Sequence, residues 1–233
     1  DFASPAPVVE ALLDRVAHGV YGYSVESTEL REVVAERLGR LYGWQVEPEE
    51  ILFQTGVLTG FQQVCRAVAT ARDGVLVQPP VYPHIYEAPA DNGSIHQEAP
   101  LVMLPDGRWE IDVDAFEAAA TDRTRVFILC NPHNPVGRVF SRAELERLAD
   151  ICLRRNIVIC SDEIHCDLVF DGHRHVPIAS IDPEVARHSV TLMAPSKTFN
   201  VPGLRCSFAV VPDAALRRRL AGDAHFSEVN NMG

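Results

Sequence analysis

Three short apolar runs constrain this chain most: RVFILC, IVICSDE and VTLMAPS. Each is continuous and rich in β-branched residues, without the polar–apolar alternation of a strand that faces water on one side, so each predicts a strand buried on both faces. The segments SRAELERLADICLRRN and DPEVARHS, which separate them, carry apolar residues at helical spacing. Upstream, PVVEALLDRVAHG and STELREVVAERLGRLYGW predict helices, the second capped by Ser27 or Thr28 and ending near Gly43. ILFQ and GVLVQ read as strands flanking a helix VLTGFQQVCRAVATA, and PPVYPHIYEAPADNG reads as turn-rich. Buried strands alternating with amphipathic helices predict an α/β fold of three layers, α/β/α, around a mostly parallel central sheet. No internal repeat, low-complexity tract or long linker interrupts the pattern.

With 233 residues and 47% hydrophobic content the chain can bury a sizeable core. A formal net charge of −11 argues against a nucleic-acid binder. No apolar run reaches the ~18 residues of a membrane span, and the opening DFASPAPVVEALLDRV has no signal-peptide pattern. Six cysteines, at 65, 130, 152, 160, 166 and 206, show no C-x-x-C spacing. They predict buried free thiols in a reducing cytoplasm rather than disulfides. EIHCDL and GHRH match no zinc-ligand spacing, and the run Arg217 to Arg219 reads as a solvated helix face.

In a parallel sheet, ligands bind outside the carboxyl ends of the strands. The residues that follow each apolar run are therefore the informative ones: TGV, PPVYP, NPHNPVGR, SDEIH and SKTFN. The last holds Lys197, the only lysine among 21 basic residues. Arginine cannot readily become the neutral amine that attacks a carbonyl; lysine can. Around it the other strand ends offer a carboxylate, Asp162, an amide, Asn134, an aromatic, Tyr82, and a small hydroxyl with a cation, Ser196 and Arg205. The TGV turn, Gly56 and Val57, opens a helix whose free N–H groups suit a phosphate. Singly, each has an ordinary reading: Asp162 as a turn former, Asn134 as turn chemistry, Tyr82 and Tyr86 as core or interface aromatics, Arg205 as a surface ion pair. Jointly, an amine, a buried anion, a phosphate cradle and a stacking ring suit pyridoxal 5′-phosphate.

The motifs NPHNPVGR, SDEIHCDL and APSKTFNVPGLR, in this order and with TGV and QPPVYP before them, resemble the fold-type I, class I/II aminotransferase superfamily. Within it they are most similar to the MalY/PatB branch of cystathionine β-lyases. The resemblance covers nearly the whole chain. It implies a Schiff base on Lys197, Asp162 at the pyridine nitrogen, Asn134 on the phenolic oxygen and Tyr82 stacked on the ring. It also implies a phosphate held by Gly56, Val57, Ser196 and Arg205. His165 stands where aminotransferases commonly carry tyrosine, and would tune the phenolic oxygen. Tyr23, with Tyr21 as rival, would reach the neighbouring subunit's phosphate, which implies a homodimer with shared active sites.

By the same resemblance, residues 1–233 form the cofactor-binding large domain. N-terminal helices occupy 1–45, a sheet core about 46–212, and the start of an interdomain helix 213–233. The C-terminal small domain, with the substrate-carboxylate arginine and part of the lid, lies outside the chain. The implied activity is cytoplasmic α,β-elimination of cystathionine or related S-substituted cysteines. Transamination with a 2-oxo acid is the alternative, since the same residues serve both. A non-catalytic interaction protein and a nucleotide-binding protein are weaker readings; no G-x-G-x-x-G or Walker sequence follows a strand. His133, His173, His175 and Glu163 read as structural.

Overall fold

A computed structural model describes residues 2–22 and 26–222. Two helices, α1 (Ala6–His18) and α2 (Thr28–Tyr42), come first. Ser27 caps α2 by accepting the Leu30 amide at 3.1 Å, and Gly43 ends it in the left-handed conformation that a side chain disfavours, φ 66°. The chain then builds nine strands and seven further helices among the described residues. These are β1 (Ile51–Gln54), α3 (Val57–Val68), β2 (Gly74–Val77), α4 (Pro83–Asp91), β3 (Ile95–Glu98), β4 (Val102–Met103) and β5 (Trp109–Glu110). They continue with α5 (Val113–Ala119), β6 (Thr124–Cys130), α6 (Arg142–Arg154), β7 (Val158–Asp162), α7 (Pro183–Arg187), β8 (Ser189–Met193), α8 (Pro195–Thr198), β9 (Ser207–Val210) and α9 (Ala214–Gly222).

Seven strands form one sheet in the order β1-β9-β8-β7-β6-β2-β3, while β4 and β5 form a separate hairpin. All the sheet's strands run the same way except β9, which is antiparallel to both neighbours. The expected three-layer α/β/α architecture is what the chain adopts. On one face α3, α4 and α9 pack over Val75, Val77, Ile128, Val190 and Ala209. On the other, α5, α6 and α7 cover Leu76, Phe127, Leu129 and Ile159. The register sets the ends of the central strands level, Cys130 beside Asp162 and Asp162 beside Leu192. Helix α3 lies close to the sheet because position 60 is glycine. A Cβ there would come within 2.5 Å of Gln54 Nε2 and 2.9 Å of Leu192 Cδ2.

Two expectations need correction. The segment after β2 is helix α4 rather than a turn-rich loop, with Tyr82 at its N-cap, Pro83 in the first turn and Pro89 inside. Proline suits a first helical turn, and burial of Ile85, Ala88 and Pro89 carries the helix past the second proline. The arginine run on α9 is not simply solvated: Arg217 donates to the Val211 and Pro212 carbonyls and Arg219 to that of Ala67. All six thiols are free, five of them buried and Cys206 half-buried. No described helix is long and apolar enough to cross a membrane.

Candidate active site

At the carboxyl edge of the sheet a cavity of about 400 Å³ is lined by nine of the ten sequence-selected residues: Gly56, Val57, Tyr82, Asn134, Asp162, His165, Ser196, Lys197 and Arg205. That volume lies within the ~300–1,000 Å³ of small-molecule sites. The tenth, Tyr23, lies outside the described residues. Its rival Tyr21 is exposed and donates its hydroxyl to the Val16 carbonyl at 2.9 Å.

Each side chain arrives by an identifiable route. Strand β7 ends on Asp162, which is 5% exposed and whose Oδ1 accepts the Ile164 amide at 3.1 Å. Burial pushes this carboxyl up to about 7, aided by Glu163 and opposed by the Ile164 amide and Lys197. No described cation forms an ion pair with it. Asn134 follows β6 in a loop closed by the His133 amide on the Arg138 carbonyl (2.7 Å) and the Gly137 amide on the His133 carbonyl (2.8 Å). Cys130 Sγ accepts the Asn134 amide at 3.5 Å.

Lys197 sits exposed on α8, a single turn directly after β8. Arg205 lies just before β9, with a left-handed backbone of φ 51° unusual for a non-glycine residue. Because β9 is antiparallel, its start lies at the edge where the parallel strands end, and this brings Arg205 into the cavity. Helix α3 starts at Gly56 with no side-chain cap, so its first amides face the cavity unpartnered by a capping group. A Cβ at Gly56 would meet nothing within 4 Å, and its φ of 169° is ordinary extended backbone. Glycine here is therefore not required by the protein's own packing. Tyr82, 36% exposed, forms the cavity wall at the start of α4.

His165 occupies the turn after β7, and burial lowers its pKa, as does the neighbouring Lys197. Sequence reasoning passed over Thr55, Thr59, Cys130, Ile164 and Cys206, which also line the cavity. Thr55 and Cys206 each adjoin a chosen residue, a signal that was open to use; Thr59 is reached only through one turn of α3. A larger cleft of about 1130 Å³ runs along the β4–β5 hairpin and meets this cavity at Asn134 and His165. It holds none of Lys197, Asp162, Tyr82 or Arg205.

Of the four residues expected to be structural, Glu163, His175 and His133 are buried and bonded within the protein, whereas His173 is exposed on the wall of the larger cleft. Glu163 is fully buried and accepts from Ser161 Oγ (2.9 Å) and the Ile178 amide (3.0 Å), and pairs with His175 Nε2 at 2.7 Å. His133 is buried against the Pro80 carbonyl at 3.0 Å, and desolvation lowers its pKa.

The family described as "Aminotransferase class I and II" matches residues 4–229. The chain belongs to that family. Among its relatives is cystathionine β-lyase PatB of Bacillus subtilis, 40% identical over 222 residues, which cover 95% of this chain and 57% of PatB. A PLP-bound putative aminotransferase from Clostridium difficile superposes with a TM-score of 0.94 at 33% identity, over 99% of this chain and 62% of that one. Cystalysin from Treponema denticola, whose crystal structure contains pyridoxal 5′-phosphate, superposes at 0.92 and 30% identity, over 99% and 60%. The chain thus spans little more than half the length of these family members.

Proposed function

We propose that the protein is a pyridoxal 5′-phosphate-dependent carbon–sulfur β-lyase that cleaves cystathionine or a related S-substituted cysteine. One observation carries the reading: a single cavity gathers a lone lysine, a buried carboxyl without a cation partner, an amide, an aromatic ring and an uncapped helix start beside an arginine. The relation to PatB supports elimination in particular. The residues fit the cofactor. Asp162 lacks the cation that a protonated ring nitrogen would supply, and the open space at Gly56 leaves the α3 amides accessible to a phosphate.

When bound, the cofactor supplies the electron sink that makes an amino acid's Cα proton removable. Lys197 Nζ would hold the cofactor, and its amine, lining the same cavity, would serve as the general base for that proton. Asp162 would keep a proton on the cofactor's ring nitrogen, Asn134 Nδ2 would donate to its phenolic oxygen with His165 nearby, and Tyr82 would stack on the ring. Gly56, Val57, Ser196 and Arg205 would hold the phosphate. With a thioether sulfur on Cβ, loss of the Cα proton and cleavage of the Cβ–S bond would release a thiolate and leave an enamine, which water would convert to pyruvate and ammonia. The same residues would also serve transamination, the second reading, which the name of the Clostridium difficile neighbour favours.

Residues 1–233 act as the large, cofactor-binding domain, with α9 leading toward a small domain. The protein works in the cytoplasm as a homodimer whose neighbour is reached by Tyr23, or by Tyr21. The exposed apolar side chains of α1, Val9, Leu12, Leu13 and Val16, support a covering partner. The test is to supply cystathionine without a 2-oxo acid and measure pyruvate and thiol. Stoichiometric release is expected, together with its loss, and loss of the cofactor's visible band, in Lys197→Ala. A requirement for an oxo acid would select the aminotransferase instead.

A further inference from the structure

We propose that Asp167 is a positioning residue for Lys197, acting through Thr198; this rests on the cofactor reading above. Helix α8 is one turn of four residues, tied internally by the Phe199 amide on the Pro195 carbonyl (2.9 Å). A single turn is not stable on its own, and the Lys197 side chain is exposed, so packing of its stem does not fix the amine. The adjacent residue supplies the missing anchor: Thr198 Oγ1 donates to Asp167 Oδ2 at 2.7 Å, across 31 residues of sequence.

The acceptor is itself held. Arg37 Nη2 donates to the same oxygen at 2.6 Å, and the Tyr42 hydroxyl donates to Oδ1 at 3.2 Å, both from α2. Charge assistance makes the arginine contact the stronger kind of bond. Tyr42 in turn stands edge-on to His175, with ring centroids 5.6 Å apart, and His175 pairs with buried Glu163. Asp167 also belongs to the turn that carries His165, closed by the Leu168 amide on the His165 carbonyl at 2.8 Å. One carboxylate therefore ties together the backbone segments bearing Lys197 and His165, and ties both to α2. No other described side chain joins α8 to that turn by a hydrogen bond.

A purely architectural role would be to bind α2 to the turn, and Thr198 has no part in that. The decisive variants are therefore Thr198→Val, which keeps the shape and removes the donor, Thr198→Ser, which restores it, and Asp167→Asn. The protein, stripped of cofactor and then mixed with pyridoxal 5′-phosphate, is followed by the growth of its visible absorption band and by the pH midpoint of that band. Thr198→Val is expected to keep the wild-type far-UV spectrum and a cooperative melt. Its band should grow about tenfold more slowly, the scale of a small misplacement of a reacting group, and its midpoint should move. Thr198→Ser should recover both. The Asp167→Asn/Thr198→Val double variant should be no slower than the slower single one, since both act on the same contact, which asparagine weakens and valine removes. A Thr198→Val protein with wild-type rate and midpoint, or a serine variant as impaired as the valine one, would overturn the role. A wild-type protein that develops no band would overturn the cofactor reading, and the positioning role with it.

Discussion

Asp162 concentrates the site's chemistry in one carboxyl. Lifted from 3.8 to about 7 by burial, it binds a proton in the folded chain that the unfolded chain gives up. Between those values the folded state holds more protons, so this group's contribution to stability falls as pH rises through the window. It is absent below 3.8 and fully unfavourable above 7. The ceiling is about 4 kcal/mol. Urea denaturation of the cofactor-free protein should therefore show Asp162→Asn more stable than wild type above pH 7, with the gap closing as the pH falls from about 7 to 3.8. A positively charged ring nitrogen would remove this penalty, so the same variant should bind cofactor less tightly. Glu163, one residue on, has the opposite character. Its three partners satisfy it, and Glu163→Ala should lower the unfolding free energy by about 3–5 kcal/mol, because His175 and Ser161 are left buried without an acceptor. Two adjacent acidic residues thus differ in role because strand alternation turns them to different surroundings, one lining the cavity and one into the protein.

Helix α3 shows how an element's end can be reserved. Its N-terminus has no capping side chain, and its glycine cap is needed by no neighbouring atom. Gly56→Val should leave the cofactor-free melting temperature near the wild-type value and weaken pyridoxal 5′-phosphate binding about tenfold or more in an equilibrium titration, a loss of ~1.4 kcal/mol. A large drop in melting temperature would instead mean that the glycine serves the fold. The other elements divide by the kind of signal they carry. Strands β6, β7 and β8 and helices α2, α3 and α6 were legible because their periodicity is local. Helix α4 was not, since three prolines over residues 80–89 read as breakers while burial of Ile85 and Ala88 decides the outcome. Strand β3, IHQE, is short, polar and at the sheet's edge, so no apolar run announced it.

At the scale of the molecule, α1 is the exposed feature. None of its residues is buried, although Val9, Leu12, Leu13 and Val16 give it an apolar stripe. If a second copy covers that stripe, Leu13→Glu with Val16→Glu should shift the sedimenting species from dimer to monomer while the far-UV spectrum is retained. A variant that remains dimeric would move the interface elsewhere.

What the amino-acid order determined alone was chemical and local. It contained one amine, Lys197, the polar clusters at the strand ends, and the buried-strand pattern that requires a parallel sheet with a helical layer on each face. Those follow from side-chain type and from periods of 2 and 3.6 residues, which need no long-range information. Only the tertiary structure shows how Arg205, already singled out by type and position, reaches the cavity, because that depends on β9 running against its neighbours. Only it decided, too, that Asp167 meets Thr198 and Arg37, residues 31 and 130 positions away. Such contacts are made by strand order and register, which no local window of sequence contains.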